Sequence, residues 1–322
     1  MHYLAFDLGG SSMKSAVIDD DYKILKTQKY IISGESWDSQ DSEAITLYGI
    51  DSAESFAKAI IAIRNEQEYP VDGICFSYNC PVNHITGDTF VGGSSQRFLN
   101  NQNFPRLFSG ICELPVSVAK DSNCQLLAEK ELGSLMGVKN AISLGIGTGL
   151  ACGILINDEI VLGQTGSAGE ISSALIRNKS GKFASIVNDT SVRTFISNIA
   201  AASGMALDTL NGYQVFDLIK NGSECVLAAY RDYCLNIAVQ IANLVSIFNP
   251  QKITIGGGIT DGTPIVDEIR EQYINLNKTL DLDMEFSRAD VEIVRSKFAG
   301  KANLLGAVIA MKKYTLNKQE TI

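Results

Sequence analysis

The first part of the chain consists of short apolar runs separated by polar residues and glycines. Residues 3–8 form an apolar run, and residues 13–19 resume it after a Gly-Gly turn, which predicts a β-hairpin. Residues 23–31 are predicted as a third strand. Apolar residues at helical spacing predict one long helix over residues 45–64, and residues 73–77 then form a short buried strand. This order is typical of a mixed sheet with a helix packed on it.

The second part of the chain repeats this order. We predict, in sequence, a strand at 115–119, a helix at 122–132, strands at 141–144 and 151–156 around another glycine turn, a returning strand at 159–162, a long helix at 225–248 and a buried strand at 252–255. A strand–glycine–strand hairpin therefore occurs near the start of each half, which indicates weak internal duplication. The 322 residues also exceed the usual ~100–200 residues of one domain, so we expect two lobes.

Composition argues against several classes of protein. The net charge is −9 and no basic tract occurs, whereas a nucleic-acid-binding surface needs clustered Lys and Arg. No apolar stretch reaches the ~20 residues of a membrane span, and no signal peptide is recognised. The seven cysteines include no C-x-x-C pair, and most lie in apolar segments, as free thiols do in a reducing cytoplasm. We therefore expect a cytoplasmic protein that binds neither nucleic acid nor membrane.

Three glycine-rich turns carry most of the candidate chemistry, at residues 7–12, 144–149 and 255–259. Each follows a predicted strand, so each can bring bare backbone N–H groups against a phosphate or a purine. One such turn would be weak evidence. Three in this order, with an isolated Asp121 between the first two, indicate a nucleotide-dependent phosphotransferase.

The first turn could hold phosphates and a metal ion. Its cofactor-binding candidates are Gly9, Gly10, Ser11, Ser12 and Lys14. The glycines let the chain pass close to a phosphate, the serines donate hydrogen bonds, and the lysine adds positive charge. Asp7 is placed to hold Mg²⁺ through water, because that ion keeps part of its hydration shell. The alternative is a plain hairpin turn with an exposed aspartate.

The second and third turns are further nucleotide-binding candidates. They contribute Gly147, Thr148 and Gly149, and Gly256, Gly257, Gly258 and Ile259. The Thr148 hydroxyl and the neighbouring amides can donate to phosphate, and the triple glycine can lie flat against an adenine or a ribose. For the triple glycine, the alternative is a close crossing of a strand and a helix.

Two carboxylates could act on a sugar. Asp121 precedes a predicted helix, so it could be an N-cap, a general base for a sugar hydroxyl, or both, because a helix N-terminus also offers amides to a phosphoryl group. Glu170 follows the turn 166–169 and could accept hydrogen bonds from sugar hydroxyls, although an isolated Glu after a glycine is usually a surface residue. Only two histidines and no clustered cysteines occur, so we expect neither a zinc site nor a Ser-His-Asp triad.

With these residues in place, the chain resembles the ROK family of the actin-like ATPase superfamily. The segments that carry the resemblance are 7–12 (D-x-G-G-T in the family), 115–123 (P-V-x-x-x-N-D-x-N), 145–149 (G-x-G-T-G), 166–170 (G-x-x-G-E), 255–259 (I-G-G-G-I) and 304–307 (L-x-G-A). The resemblance implies an α/β, two-lobed, ribonuclease H-like fold with mixed sheets and a central cleft. It also implies a smaller lobe of residues 1–118 plus 300–322, a larger lobe of residues 119–299, and a homodimer.

Departures from the family pattern bear on the substrate. The zinc signature C-x-C-G-x-x-G-C is absent and residues 178–189 occupy its place, so no zinc is expected. Lys120 stands where the family has an Asn before the catalytic Asp, and we keep it as a substrate-binding candidate. Without the zinc loop, and with the segment 92–98, the chain looks most like the β-glucoside kinase branch, and Gly93 in that segment is a further substrate-binding candidate.

The resemblance thus implies an ATP-dependent sugar kinase that uses Mg²⁺. The expected acceptor is the 6-hydroxyl of the non-reducing glucose of β-glucosides such as cellobiose, with Asp121 as the base. Two alternatives stay open. One is another ROK hexokinase, namely a glucokinase, a fructokinase or an N-acetylmannosamine kinase, and the other is a catalytically weak sugar-sensing protein.

Overall fold

The computed structural model describes residues 1–9, 12–32, 43–92, 96–177, 181–279 and 291–316. The chain divides into two compact units. The first contains Met1–Glu131, Val161–Ala168 and Lys301–Ile322, and the second contains Leu132–Ile160 and Gly169–Gly300. The predicted lobes, 1–118 with 300–322 and 119–299, have different boundaries, and as independently folding domains they stay a prediction.

Runs of strands are interspersed with helices over the described residues. Up to residue 132 they are β1 (His2–Leu8), β2 (Met13–Asp19), β3 (Ile24–Ile32), β4 (Ile45–Leu47), α1 (Ala53–Asn65), β5 (Gly73–Tyr78), β6 (Val82–Asn83), β7 (Asp88–Thr89), α2 (Phe104–Phe108), β8 (Val116–Lys120) and α3 (Asp121–Leu132). They continue as β9 (Ala141–Ile146), β10 (Leu150–Ile156), β11 (Glu159–Ile160), β12 (Leu175–Arg177), β13 (Phe183–Ser185), α4 (Val187–Thr190), α5 (Val192–Ser203), α6 (Gly212–Lys220), α7 (Glu224–Phe248), β14 (Lys252–Gly256), α8 (Ile265–Thr279), β15 (Glu292–Arg295) and α9 (Ala302–Met311).

A six-stranded mixed sheet forms the centre of the first unit, in the order β4-β3-β2-β1-β5-β8. The hairpin β1–β2 is antiparallel, whereas β1, β5 and β8 are parallel to one another. Every residue of β5 and of β8 is buried, as expected for parallel strands that are covered on both faces. Helix α9 packs against β1, β5 and β8, so a helix from the far end of the sequence covers the first sheet.

The second unit repeats this plan in a five-stranded sheet of order β11-β10-β9-β14-β15. Here β9–β10 is the antiparallel hairpin, and β14 lies parallel to both β9 and β15. The order β3-β2-β1-β5-β8 of the first sheet therefore has the same arrangement of hairpin and parallel strands. The internal duplication that the sequence indicates is confirmed as a repeated sheet topology.

The predicted helix over residues 45–64 is wrong in its first part. Residues 45–47 form β4, which pairs in parallel with β3, and helix α1 begins only at Ala53. Ser52 caps this helix, because its hydroxyl accepts the backbone N–H of Ser55 while the Ser55 side chain accepts the N–H of Ser52. The periodic apolar residues beyond residue 52 were thus read correctly, but the N-cap signal at Ser52 was missed.

No helix in the described part of the chain is long and apolar enough to cross a membrane.

Candidate active site

Three parallel strands of the first unit end at the same edge of their sheet. The register pairs Asp7 of β1 with Ser77 of β5, and it pairs Tyr78 of β5 with Lys120 of β8. Asp121 follows directly and begins α3. The carboxyl ends of parallel strands are where ligands bind in open α/β sheets. The fold therefore brings the predicted residues Asp7, Lys120 and Asp121 to one edge.

Two neighbours fix the carboxylate of Asp7. The Ser77 hydroxyl and the Asn303 side-chain amide both donate to Oδ1, at 3.0 Å and 3.1 Å. Burial raises the pKa of Asp7, while the hydrogen bonds from Asn303 and Ser77 and the charge of Lys14 lower that pKa. The sequence analysis did not identify Ser77 or Asn303. Asn303 lies 296 positions from Asp7, so only the fold reveals this contact.

Asp7 fits the predicted magnesium site. Among the described residues, no group of three or more His, Cys, Asp or Glu side chains could hold a metal ion. Mg²⁺ is usually bound by one or two protein carboxylates together with substrate phosphates and water. A single carboxylate that two neighbours hold in place, at the start of a glycine turn, is compatible with that mode of binding.

Asp121 is partly exposed at the N-terminus of α3, where its Oδ1 accepts the backbone N–H of Ser122 at 2.6 Å. Asp121 is thus the first residue of the helix, and the N–H that it accepts is that of the next residue, not one two or three residues further on as an N-cap accepts. Burial raises the pKa of the Cys124 thiol, and the charges of Asp121 and Asp7 raise it further.

Three buried polar atoms near Asp121 make no hydrogen bond with the described residues. They are Asn79 Oδ1, Ser122 Oγ and Asn123 Oδ1. Asn79 follows Tyr78, the register partner of Lys120, and the other two follow Asp121 in sequence. Buried polar atoms are almost always satisfied by protein, water or ligand. Their position at the strand ends is compatible with a polar ligand such as a sugar.

Lys120 is buried, with 2% of its surface exposed. Its ammonium group donates to the backbone carbonyl of Ala168 at 2.9 Å. Ala168 belongs to the segment Val161–Ala168 of the first unit. Glu170, two residues further on, is exposed and lies in the second unit, so the structure does not describe its position relative to Asp121.

The first glycine turn is closed by a hydrogen bond from the Gly9 N–H to the Ser12 carbonyl at 3.1 Å. The side chain of Gln96 donates to the Gly9 carbonyl at 3.3 Å, a contact that the sequence analysis did not predict. Lys14 is exposed on β2, where it is the register partner of Asp7. The remaining candidates of this region, Gly10, Ser11 and Gly93, lie outside the described residues.

The second and third glycine turns lie at one edge of the sheet in the second unit, because Gly145 of β9 pairs with Gly256 of β14. Gly257 has a φ of 101°, and a Cβ there would lie 2.2 Å from the Ile146 carbonyl oxygen. This glycine is thus required by packing against the neighbouring strand end. A Cβ on Gly147 or Gly258 would meet nothing within 4 Å, which leaves space beside the backbone there.

The hairpin turn of the second unit resembles that of the first. The Gly147 N–H donates to the Gly149 carbonyl at 2.9 Å, and Thr148 at the tip is exposed. Ser172 supports the turn, because its hydroxyl accepts the N–H of Leu150 at 2.8 Å. The same hydroxyl would lie 2.6 Å from a Cβ on Gly149, so it packs closely against this glycine. Ile259 follows the triple glycine and is partly exposed.

Comparison with known proteins identifies the family. The ROK family profile matches residues 3–314. The chain belongs to the ROK family. This ROK protein is 28% identical over 313 residues to a β-glucoside kinase of Listeria monocytogenes, with 96% of each chain covered.

Solved structures of ROK proteins have the same fold. A Listeria monocytogenes protein, provisionally assigned as an N-acetylmannosamine kinase, has a TM-score of 0.79 at 26% identity and covers 99% of this chain and 100% of its own. A Streptomyces griseus glucokinase, solved with glucose and AMPPNP, has a TM-score of 0.77 at 19% identity, with 97% and 100% covered. The predicted fold class, the α/β actin-like ATPase fold with mixed sheets, is confirmed.

Proposed function

We propose that this ROK protein transfers the γ-phosphoryl group of ATP to the 6-hydroxyl of the non-reducing glucose of a β-glucoside such as cellobiose. The broader class, an ATP-dependent sugar kinase, agrees with the family and with the kinase names of relatives that match over nearly the full length. The finer assignment rests on the β-glucoside kinase relative and on the absence of the zinc signature, which would leave room for an aglycone.

One observation carries the mechanism: the ends of β1, β5 and β8 place Asp7, Lys120 and Asp121 at a single sheet edge. In the proposed reaction, the carboxylate of Asp121 accepts the proton of the sugar hydroxyl as that oxygen attacks the γ-phosphorus in line and the bond from this phosphorus to the leaving ADP breaks. Mg²⁺·ATP, when bound, supplies the phosphoryl group and the positive charge that balances it. Asp7 would hold the metal through water, and Ser77 and Asn303 would keep its carboxylate in place.

The glycine turns would position the nucleotide. The proposed phosphate contacts of the first unit are Gly9, Gly10, Ser11, Ser12 and Lys14, of which Gly10 and Ser11 lie outside the described residues. Those of the second unit are Gly147, Thr148 and Gly149. The proposed adenosine contacts are Gly256, Gly257, Gly258 and Ile259, and the packing of Gly257 also shapes that turn. Phosphoryl transfer depends mainly on such positioning and on charge stabilisation, so backbone donors with free space beside them suit the task.

The substrate-binding roles of Gly93, Lys120 and Glu170 are part of the same proposal. The homodimer that the resemblance implies and the cytoplasmic location that the composition indicates also stay predictions. A free hexose is the alternative acceptor, because the similar Listeria structure is provisionally assigned as an N-acetylmannosamine kinase.

The test is ADP release from Mg²⁺·ATP across glucose, fructose, mannose, N-acetylmannosamine, cellobiose, gentiobiose and arbutin. We expect turnover on the β-glucosides to exceed turnover on every free hexose, and we expect Asp121→Asn to lose it. Preference for a free hexose would keep the kinase class and overturn the β-glucoside assignment. If no sugar in the panel were phosphorylated although ATP bound, the enzymatic proposal would fail and the sugar-sensing alternative would be favoured.

A further inference from the structure

A turn of the first unit is held against the strand end that carries Asp121. The chain passes from the second unit into the first for the eight residues Val161–Ala168 and then leaves again. Within this turn, the Ala168 N–H donates to the Leu162 carbonyl at 3.1 Å, which closes the turn on itself. Two further contacts, at residues 166 and 168, attach it to the rest of the unit.

Gly166 makes the first attachment. It has a φ of 73°, and a Cβ at this position would lie 2.2 Å from the Val82 carbonyl oxygen and 2.7 Å from the Val82 carbonyl carbon. Val82 lies in β6, which packs against β8, the strand that ends at Lys120. The turn is therefore in direct backbone contact with an element that supports the candidate active site, and only glycine allows this approach.

Lys120 makes the second attachment. Its ammonium group donates to the Ala168 carbonyl at 2.9 Å from a side chain that is 2% exposed. Removing a charged amine from water costs several kcal/mol unless hydrogen bonds compensate for it. A lysine is therefore expected at a buried strand end only where its charge and its reach serve a purpose. Here its ammonium donates to the Ala168 carbonyl, which provides part of that compensation.

We propose that Lys120 is a positioning residue that fixes the Val161–Ala168 turn beside Asp121 and thereby shapes the sugar site. In this role its ammonium acts on the sugar through the turn that it holds. This role deepens the proposed function and rests on it for the location of the sugar.

Two substitutions separate the bond from the charge. Lys120→Met keeps much of the apolar stem and removes the donor, while Lys120→Gln keeps a neutral N–H donor of shorter reach. Lys120→Met should raise the KM for the best wild-type sugar on the order of 10–100-fold, with kcat and the KM for ATP changed by less than about threefold. Lys120→Gln should recover part of the loss, because it can still donate to a carbonyl.

The matched control is Lys297→Met. Lys297 also donates from its ammonium to a backbone carbonyl at 2.9 Å, that of Leu132, but it is exposed and lies in the second unit. We expect this variant to keep the wild-type sugar KM. Hydrogen exchange of a peptide covering residues 161–170 gives a readout that does not depend on activity. Exchange there should rise in Lys120→Met and should match wild type in Lys297→Met.

The outcomes distinguish this role from a purely structural one. An unchanged sugar KM in Lys120→Met would overturn the proposal, as would a fall in kcat with KM unchanged. A joint rise of the sugar and ATP KM with a lower melting temperature would mean general destabilisation and would also overturn it.

A second variant keeps the test decisive if Lys120→Met does not fold. Gly166→Ala disturbs the same turn and leaves the lysine in place, and it should show the same separation of sugar KM from ATP KM. Wild-type protein that phosphorylates no sugar would instead contradict the proposed function. The hydrogen-exchange comparison would still decide whether Lys120 anchors the turn.

Discussion

The sheets of the two units share one arrangement of strands, but different residues lie at the ends of those strands. At the carboxyl ends of its parallel strands, the first unit presents the ionisable side chains Asp7, Lys120 and Asp121. The corresponding edge of the second unit presents Gly147, Thr148 and Gly149 together with the triple glycine at 256–258. The strand ends of the first sheet therefore carry ionisable side chains, whereas those of the second carry glycine backbone and the Thr148 hydroxyl.

This difference matches what each proposed task requires. Proton transfer and metal binding need carboxylates held in one geometry, so they tolerate packing around the side chain and gain from neighbours such as Ser77, which donates to Asp7. Binding phosphate or a purine through amides needs a backbone that a ligand can approach, so it excludes side chains. A repeated fold can thus support two functions because only the residues at its strand ends differ.

The largest expected effect concerns the side-chain chemistry of the first unit. Asp121→Asn keeps the shape and the hydrogen bond to the Ser122 N–H but cannot accept the sugar proton. We expect kcat to fall by about 10²–10⁴-fold, as the loss of a general base does. Steady-state ADP release measures kcat, and binding of ATP, which the variant should retain, serves as the control for folding. Turnover within a few-fold of wild type would show that the first unit does not supply the base.

The next effect concerns the glycine that packs in the second unit. Gly257→Ala would force a Cβ to within 2.2 Å of the Ile146 carbonyl oxygen at a φ of 101°. We expect the free energy of unfolding to fall by about 2–4 kcal/mol, because backbone strain and overpacking each cost about 1–3 kcal/mol. Urea titration measures this loss. Gly258→Ala is the matched control, since its Cβ meets nothing within 4 Å.

Equal stability of these two glycine variants would contradict the packing role of Gly257. A stable Gly258→Ala with a raised KM for ATP would instead sharpen the comparison, because it would assign nucleotide approach to that neighbour.

The first unit contains a counterpart at Gly306 of α9. A Cβ at this position would lie 1.8 Å from the backbone carbonyl oxygen of Cys124 in α3. Alanine favours a helix over glycine by about 1 kcal/mol, so any net loss of stability must come from the close helix contact. We expect Gly306→Ala to lower the melting temperature and to weaken activity, because the same helix carries Asn303, the partner of Asp7. A melting temperature equal to or above wild type would show that the helices can separate without cost.

The smallest effect lies away from the strand ends, where the units should behave alike. Lys312 contacts Asp20 at 2.7 Å in the first unit, and Lys252 contacts Glu292 at 2.8 Å in the second, with the acidic partner about half exposed in each pair. We expect Asp20→Asn and Glu292→Gln each to cost about 0.2–1 kcal/mol at pH 7, as exposed ion pairs do. Urea titration would measure both losses of stability. A loss well above that range in one unit would contradict the expectation that the two ion pairs contribute alike.

The pH dependence of the Asp20 pair has a definite sign. The hydrogen bond from Lys312 lowers the pKa of Asp20 from its ordinary value of 3.8. The contribution of the pair is therefore fully present above pH 3.8 and is lost as the pH falls through the lower pKa of the folded state. The difference between wild type and Asp20→Asn should shrink in titrations below pH 3.8, and a difference that grows there would contradict the assignment.

Local signals predicted the strands and turns because each depends on residues next to one another. The two hairpins, the buried strands and the start of α3 near Asp121 could be read from apolar runs and glycines. The error at residues 45–52 came from giving periodicity more weight than the capping signal of Ser52. The sequence pattern identifies site residues such as Asp7, but only the sheet register shows which residues lie next to them.

The contacts that complete the site could not be predicted, because their partners are far apart in sequence. Lys120 and Ala168 are 48 positions apart, and Asp7 and Asn303 are 296 apart. Neither an amide on a helix nor a lysine at a strand end has a pattern that names its partner. Such pairings follow from tertiary packing, which brings together side chains and backbone groups from distant parts of the sequence.

The return of α9 to the first sheet affects the order in which the two units can fold during synthesis. Residues 1–131 emerge first, but the faces of β1, β5 and β8 that α9 covers stay open until residues 302–311 have been made. The whole of the second unit is synthesised in the meantime and can fold ahead of its predecessor. The first unit is thus completed after the second, and Asp7 acquires Asn303 only once residue 303 has been made.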